Sequence, residues 1–191
     1  MAARELTAEG KVPTLAETAD AAQVSRATAY RYFPTQESLL VELPLDVAAP
    51  TPRSLFGAAD APIDPEDRAA LVQNALYDLA RDYETEFRLF LRNALLHATG
   101  KPAGARDPFR GARRTRLLDA ALEPLAGELD ATEIEDLKVE LSMLMGVESM
   151  IVLRDVLLLD HEQARTAGER AVRRMVRAAR GGVKGQSRST R

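Results

Sequence analysis

The sequence predicts an all-α protein, and three observations lead to that prediction. Apolar residues recur three and four positions apart along most of the chain, for example at Phe87, Phe90 and Leu91. Capping signals mark helix starts, such as Thr14 with Glu17 three residues later. No alternation of apolar and polar residues is long enough to indicate a β-strand.

Composition narrows the class of protein. The 191 residues, 46% hydrophobic and 29% charged, are enough to form a core in one large domain or two small ones. The absence of Cys excludes disulfides, thiolate zinc sites and Cys nucleophiles. The only histidines are His97 and His161, so we expect no metal site and no cofactor. There is no membrane-spanning apolar run, no secretory h-region and no catalytic arrangement of residues, so we expect a cytoplasmic protein that is not an enzyme.

The N-terminal residues 1–43 predict a domain of short helices. Thr14 caps a helix that ends at about residue 22, and Ser25 caps a second helix over 26–32. Pro34 and Thr35 close that helix and open a third, which ends at about residue 43. The proline-rich residues 44–64 then predict a connecting segment.

Longer amphipathic patterns over 65–180 predict a second, larger domain. Asp64 followed by Pro65 is the start signal of its first helix. The expected helices span 65–82, 84–98, 112–127, 131–155 and 161–180. Residues 181–191, rich in Gly and basic residues, are expected to form a frayed tail.

The stretch from Thr14 to Leu40 has the pattern of a helix-turn-helix. Small apolar residues give the first helix a face that a second helix can cross closely, with Val24 at the junction. Ala29 and Phe33 would seat the second helix and leave hydrogen-bonding side chains on its exposed surface. A short helix with Arg and Thr at its start is suited to entering a major groove and contacting base edges.

Residues 14–40 resemble the DNA-binding domain of the TetR family of transcriptional regulators. The string VSRATAYRYFPTQESLL, over 24–40, is similar to that family's signature through the recognition helix and into the next helix. The resemblance implies a three-helix helix-turn-helix domain followed by a helical bundle for ligand binding and dimerisation. It also implies a homodimeric repressor that binds palindromic double-stranded operator DNA under the control of a small-molecule effector. The DNA-binding residues carried over by position are Thr14, Ser25, Arg26, Ala27, Thr28, Tyr30, Arg31 and Tyr32. Of these, the resemblance implies that Arg26, Ala27 and Tyr30 face bases and that Thr14, Thr28 and Tyr32 contact phosphates.

Three departures from the family keep an alternative open. Gln23 replaces the turn glycine, and a non-glycine residue at positive φ costs about 1 kcal/mol. Gln36 stands where a basic residue usually contacts phosphate, and residues 1–40 carry four Arg or Lys against five Asp or Glu. Residues 2–8 supply only the second half of the family's first helix, so we expect a misplaced start codon or a trimmed sequence. The alternative is a dimeric helical ligand-binding or interaction protein with impaired DNA binding.

Polar residues within the apolar patterns of the larger domain indicate a ligand pocket, because a few convergent polar groups among apolar walls hold small ligands. The candidate residues are Asn74, Tyr77, Phe87, Phe90, Leu91, Asn93, His97, Met143, Met145 and Glu148. The alternative is that the aromatic and Met side chains fill the core and the polar groups lie at helix edges.

Small residues at helical spacing in the last helix, with the apolar stripe of 131–155, predict a dimer interface that a palindromic operator requires. The candidate residues are Leu141, Leu144, Ile151, Ala164, Ala167, Gly168, Ala171, Met175 and Ala178. The alternative is that this stripe packs within one subunit.

Two segments are strongly basic. Residues 165–191 hold nine Arg or Lys and one acidic residue, and we expect a solvated helix face and tail there rather than a DNA contact. The arginines between 106 and 116 are expected to pair with the acidic residues that follow them, Asp119 and Glu123.

Overall fold

The structure, a computed structural model, describes residues 14–33, 35–36, 38–40, 45, 48–99 and 112–186. Within these ranges the regular structure is helical, with no strand, which confirms the predicted all-α class. The chain divides into two compact units. The first is Met1–Ala49 with Tyr83–Arg110, and the second is Pro50–Asp82 with Gly111–Arg191.

The helices are, in chain order, α1 (Leu15–Ala21), α2 (Arg26–Tyr32), α3 (Pro52–Phe56), α4 (Pro65–Asp82), α5 (Glu84–Thr99), α6 (Ala112–Leu122), α7 (Ala131–Met143), α8 (Val147–Ile151) and α9 (His161–Gln186). A 3₁₀ turn over Glu123–Gly127 follows α6, and a π turn over Val152–Val156 follows α8. Thus α1, α2 and α5 belong to the first unit and the other helices to the second.

In the first unit, α1 and α2 begin at the predicted caps. Thr14 and Glu17 form a capping box, in which the Glu17 backbone N–H donates to Thr14 Oγ1 over 3.2 Å. Ser25 Oγ accepts from the Thr28 backbone N–H over 3.1 Å. The two helices pack through a small apolar cluster of Leu15, Ala19, Ala29, Leu39 and Phe33.

The second unit has its own core, in which α4 packs against α6 and α9. Val72, Leu118, Leu141 and Val172 are fully buried there, one each from α4, α6, α7 and α9. Burial of each such side chain contributes about 1.5–3 kcal/mol. The core therefore depends on apolar residues from four helices that are far apart in sequence.

Arg68 of α4 joins three segments of this unit. Its guanidinium donates to the carbonyl of Ala120 over 2.7 Å and to that of Pro62 over 3.1 Å. The same group lies 4.1 Å from the centre of the Phe56 ring, in a cation–π contact. Arg68 thus connects α3 and the end of α6 to α4.

The predicted single helix over 131–155 is wrong. It is interrupted after Met143, and Gly146 at the break has φ +94°. Arg114 of α6 fills the break, donating to the Ser142 carbonyl over 2.7 Å and to Glu148 Oε2 over 2.9 Å. The apolar periodicity continues through the break, so periodicity alone predicts one helix.

Three other boundaries differ from the prediction. The tail expected from residue 181 is helical as far as Gln186, and the connecting segment contains α3. The helix expected over 112–127 ends as a 3₁₀ turn, because Pro124 interrupts the α-helical hydrogen bonds. The predicted helix over 65–82 is confirmed. The predicted half-helix 2–8, most of the loop 99–111 and the last five residues lie outside the described residues.

Candidate nucleic-acid interface

The predicted DNA-reading helix, α2, has one face packed against the apolar cluster and one exposed face. Ala29 is buried and Phe33, just after the helix, is half-buried against the apolar cluster. Arg26, with 68% of its side chain exposed, and Tyr30, 53% exposed, lie on the surface. Ala27 and Arg31 are exposed as well. These four predicted contact residues are therefore accessible to a partner, as are Thr14 and Ser25, while the Tyr32 side chain lies outside the described residues.

The predicted hydroxyl contacts take part in helix capping. Ser25 Oγ lies 2.9 Å from Thr28 Oγ1 and also caps α2. Thr14 Oγ1 donates to Glu17 Oε2 over 2.7 Å, which places a carboxylate beside the hydroxyl. A phosphate near Thr14 would meet that negative charge, so Thr14 is a less favourable phosphate contact than Thr28.

The turn between α1 and α2 contains a residue in a strained conformation. Gln23 has φ +54°, which lies in the left-handed region that favours glycine. Val24, predicted to lie at the junction of the two helices, does not fill that junction, because 41% of its surface is exposed.

Gln36, the other departure, has an internal role. Its Oε1 accepts a hydrogen bond from the Leu15 backbone N–H over 2.7 Å. Because Leu15 is the first residue of α1, the Gln36 amide satisfies one of the unpaired N–H groups at that helix end. A basic residue at this position would lack an acceptor for that N–H group.

The charge next to α2 is mixed. Arg26 Nη2 lies 3.9 Å from Asp20 Oδ2, and both side chains are more than two-thirds exposed. Asp20 is in the last turn of α1, where a carboxylate opposes the partial negative charge of a helix C-terminus. An exposed pair at this distance contributes little to stability.

The predicted pocket residues are divided between the two units. In the second unit, Tyr77 is buried and its hydroxyl lies 3.1 Å from His161 Nδ1, while Asn74 donates to Glu169 over 2.8 Å. Met145 is in the core, whereas Met143 is 68% exposed and forms no enclosed wall. Glu148 pairs with Arg114, as described above.

The other predicted pocket residues belong to the first unit. Four of them are half-buried, namely Phe87, Phe90, Leu91 and Asn93, and the His97 side chain lies outside the described residues. The pocket stays a prediction.

The buried amide of Gln73 was not predicted from the sequence. Only 1% of its surface is exposed, and within the described residues neither Nε2 nor Oε1 has a hydrogen-bond partner. The amide lies directly against Gly168 of α9, where an added Cβ would overlap Nε2. No local pattern in the sequence marks Gln73 as buried, because its burial depends on the close approach of α9.

The predicted dimer interface requires a correction. Ala164, Gly168 and Leu141 are buried inside the second unit, because α9 uses its small residues to approach α4. For these three residues the expected subunit contact is wrong, and the alternative of packing within one subunit holds. Leu144 and Met175 pack at the edge of the same core. Of the remaining four, Ile151, Ala167 and Ala171 are half-buried and Ala178 is exposed.

Two other faces of the second unit are exposed. On α7, the acidic residues Asp136 and Glu140 alternate with exposed Val139 and Met143. On the neighbouring α9, a shallow groove is lined by six residues, which are Thr166, Glu169, Arg170, Arg173, Arg174 and Arg177. One face is thus acidic and apolar, and the other is basic. The π turn after α8 adds the exposed apolar residues Val152 and Val156.

Most described arginines of α9 form ion pairs rather than a solvated face. The pairs run along α4 and its surroundings: Arg165 with Asp78, Arg173 with Asp67, Arg177 with Glu66, and Arg180 with Asp64 and Glu128. They span N–O distances of 2.5–3.3 Å. The expectation of a solvated basic face is therefore wrong for the side of α9 that faces α4, because acidic residues of α4 lie opposite these arginines.

The expected pairing of the 106–116 arginines with Asp119 and Glu123 is not observed for Arg114, which pairs with Glu148. Asp119 pairs instead with Lys138 of α7 over 3.0 Å. Arg106 and Arg110 lie outside the described residues. The break after Met143 brings Glu148 within reach of Arg114.

No helix in the described ranges combines the length and apolar character needed to cross a bilayer. Comparison of the chain with protein-family models, with curated proteins and with solved structures gave no significant match.

Proposed function

We propose that this protein is a TetR-like transcriptional regulator that binds operator DNA through α2. The observation that carries the proposal is the division of α2 into two faces, with Ala29 buried and Arg26, Ala27 and Tyr30 exposed. Exposed Arg and Tyr side chains, on a short helix whose other face packs against the domain, are able to donate hydrogen bonds to base edges. The TetR-like string over 24–40 supports the same assignment.

A palindromic operator requires a two-fold dimer, and the exposed faces of α7 and α9 support one. In a two-fold symmetric contact, the acidic and apolar face of α7 in one copy would meet the basic face of α9 in the other copy. By symmetry, α9 of the first copy would meet α7 of the second. Asp136 and Glu140 would then face Arg170 and Arg174. The small-molecule effector and the cytoplasmic location belong to the same proposal through the family resemblance.

Fluorescence anisotropy with labelled duplex DNA from immediately upstream of the protein's own gene tests this function, with scrambled duplex as the control. We expect sequence-specific binding whose affinity falls steeply with salt, with a logarithmic slope of about −0.9 for each phosphate neutralised. Tyr30→Ala should weaken binding to the specific duplex without disturbing the domain, because Tyr30 is 53% exposed and is not part of the apolar cluster.

Equal binding to both duplexes, or none to either, would overturn the proposal. The alternative, a dimeric helical ligand-binding or interaction protein with impaired DNA binding, would then explain a chain that self-associates without recognising DNA. The acidic residues of α1, Glu17 and Asp20, favour this alternative, because they reduce the attraction of phosphate.

A further inference from the structure

We infer that Asp20 and Arg26 together read one G·C base pair of the operator, an inference that rests on the proposed function. The two side chains extend from different helices, α1 and α2, and meet beside the turn that joins them. Arg26 Nη2 and Asp20 Oδ2 are 3.9 Å apart, with 68% and 69% of their side chains exposed. They therefore present donors and an acceptor side by side on the surface.

The pair lacks the short hydrogen bonds that would occupy both groups. Arginine and carboxylate in a tight pair approach to about 2.8 Å, often through two parallel bonds. At 3.9 Å the guanidinium N–H groups and the carboxylate oxygens keep hydrogen-bonding capacity for a partner. Within the described residues neither side chain has a second ion-pair partner.

The order of donors and acceptors matches one kind of base pair. In the major groove, a G·C pair presents two acceptors, N7 and O6 of guanine, followed by a donor, the N4 amino group of cytosine. Two N–H groups of Arg26 are able to donate to the acceptors while Asp20 accepts from the amino group. An A·T pair presents acceptor, donor, acceptor, so both the second Arg26 donor and the Asp20 oxygen would face groups of the same kind.

Asp20 also favours bases over the backbone as the target of Arg26. A carboxylate beside the guanidinium repels phosphate oxygens, but it meets a hydrogen-bond donor at cytosine. The last turn of a helix is an unfavourable place for a carboxylate, so helix stability gives Asp20 no role there. Asp20 is thus a specificity-determining residue next to Arg26.

The test is a selection of binding sequences from a randomised duplex pool by the full-length chain, followed by Kd measurements on the selected duplex. Each base pair is then exchanged between G·C and A·T in turn. For the wild-type protein, we expect one position in each half-site where A·T weakens binding by about 30-fold or more, from two mismatched contacts. Arg26→Ala should reduce this ratio to about one, and Asp20→Ala to about fivefold, at that position only.

One further variant, together with a control, separates the role of the Asp20 acceptor oxygen from that of its charge. Asp20→Asn keeps an acceptor oxygen, and we expect it to retain more of the G·C preference than Asp20→Ala while binding scrambled duplex more tightly. Asp60→Ala removes an exposed carboxylate in the second unit and should leave the ratio unchanged.

If wild-type protein selects a sequence but Arg26→Ala and Asp20→Ala keep its full G·C preference, the two residues form an exposed ion pair only and the inference is overturned. If wild-type protein selects no sequence, the proposed function itself fails, and this inference fails with it.

Discussion

The amide of Gln73 is a buried polar group for which the described residues offer no hydrogen-bond partner. Leaving such a group unpaired costs about 1–3 kcal/mol, whereas an apolar side chain of similar shape carries no such cost. We therefore expect Gln73→Met to raise the free energy of unfolding by about 1–2 kcal/mol, measured by urea denaturation. Gln73→Glu should lower it, because a buried charge would replace the amide. A destabilised Gln73→Met protein would show that the amide has a partner in solution.

Gly146 is required by the break between α7 and α8. Its φ of +94° disfavours any other residue, and an added Cβ would overlap the Arg114 guanidinium. We expect Gly146→Ala to lower the free energy of unfolding by about 2–3 kcal/mol, from backbone strain and from displaced Arg114 hydrogen bonds. Gly127→Ala is the matched control, since a Cβ there meets no atom within 4 Å. Equal unfolding midpoints for the two variants would contradict this account.

At the scale of elements, the contact between α4 and α9 combines buried apolar side chains with a row of ion pairs. Glu169 of α9 accepts hydrogen bonds from Asn74 over 2.8 Å and from Arg173 over 3.0 Å. The Asn74 hydrogen bond, followed by that of Arg173, holds the pKa of Glu169 below its ordinary value. The unfolded chain therefore takes up this proton more readily than the folded protein does.

Glu169 consequently contributes stability above the pKa of an unfolded glutamate, about 4.3, and loses that contribution as the pH falls through the lower folded pKa. We expect Glu169→Gln to flatten the fall in urea midpoint between about pH 5 and pH 3. Glu162→Gln, which alters an exposed residue in the first turn of the same helix, should keep the wild-type profile. Parallel profiles for the wild type and Glu169→Gln would refute the assignment.

The elements show which physical signals a sequence carries and which it lacks. The starts of α1, α2 and α4 follow from local capping chemistry at Thr14, Ser25 and Asp64, and these starts were predicted correctly. The break at Gly146 depends on Arg114, 32 positions earlier in the sequence, so local periodicity does not reveal it. The α9 helix continues through Gly181 despite the low helix propensity of glycine.

Local sequence patterns also fail to reveal the contacts between elements in the candidate site. The exposed face of α2 follows from the spacing of Arg26, Ala29 and Tyr30, but the neighbourhood of Asp20 and Arg26 depends on how the turn orients two helices. The small residues of α9 indicate that another helix approaches closely, yet they do not distinguish α4 of the same chain from a second copy. Tertiary packing decides between these partners, and it assigns Ala164 and Gly168 to the core of one subunit.

At the scale of the whole molecule, the exposed faces on α7 and α9 are the surfaces through which we propose that two copies associate. If the dimer pairs these faces, Arg174→Glu should place like charges opposite Asp136 and Glu140 and weaken self-association, as Glu140→Lys should opposite Arg170 and Arg174. Sedimentation-equilibrium ultracentrifugation measures the dimer Kd, and we expect an increase of about tenfold or more for each single variant.

The double variant, Arg174→Glu with Glu140→Lys, restores opposite charges across a two-fold contact and should recover most of the lost affinity. Arg116→Glu, at an exposed position on α6, is the matched control and should leave the dimer Kd unchanged. The loss in each single variant and the recovery in the double variant together distinguish a direct contact from a general effect of charge. If both single variants dimerise like wild type, the subunit contact lies elsewhere, and the exposed Val152 and Val156 become the next surface to alter.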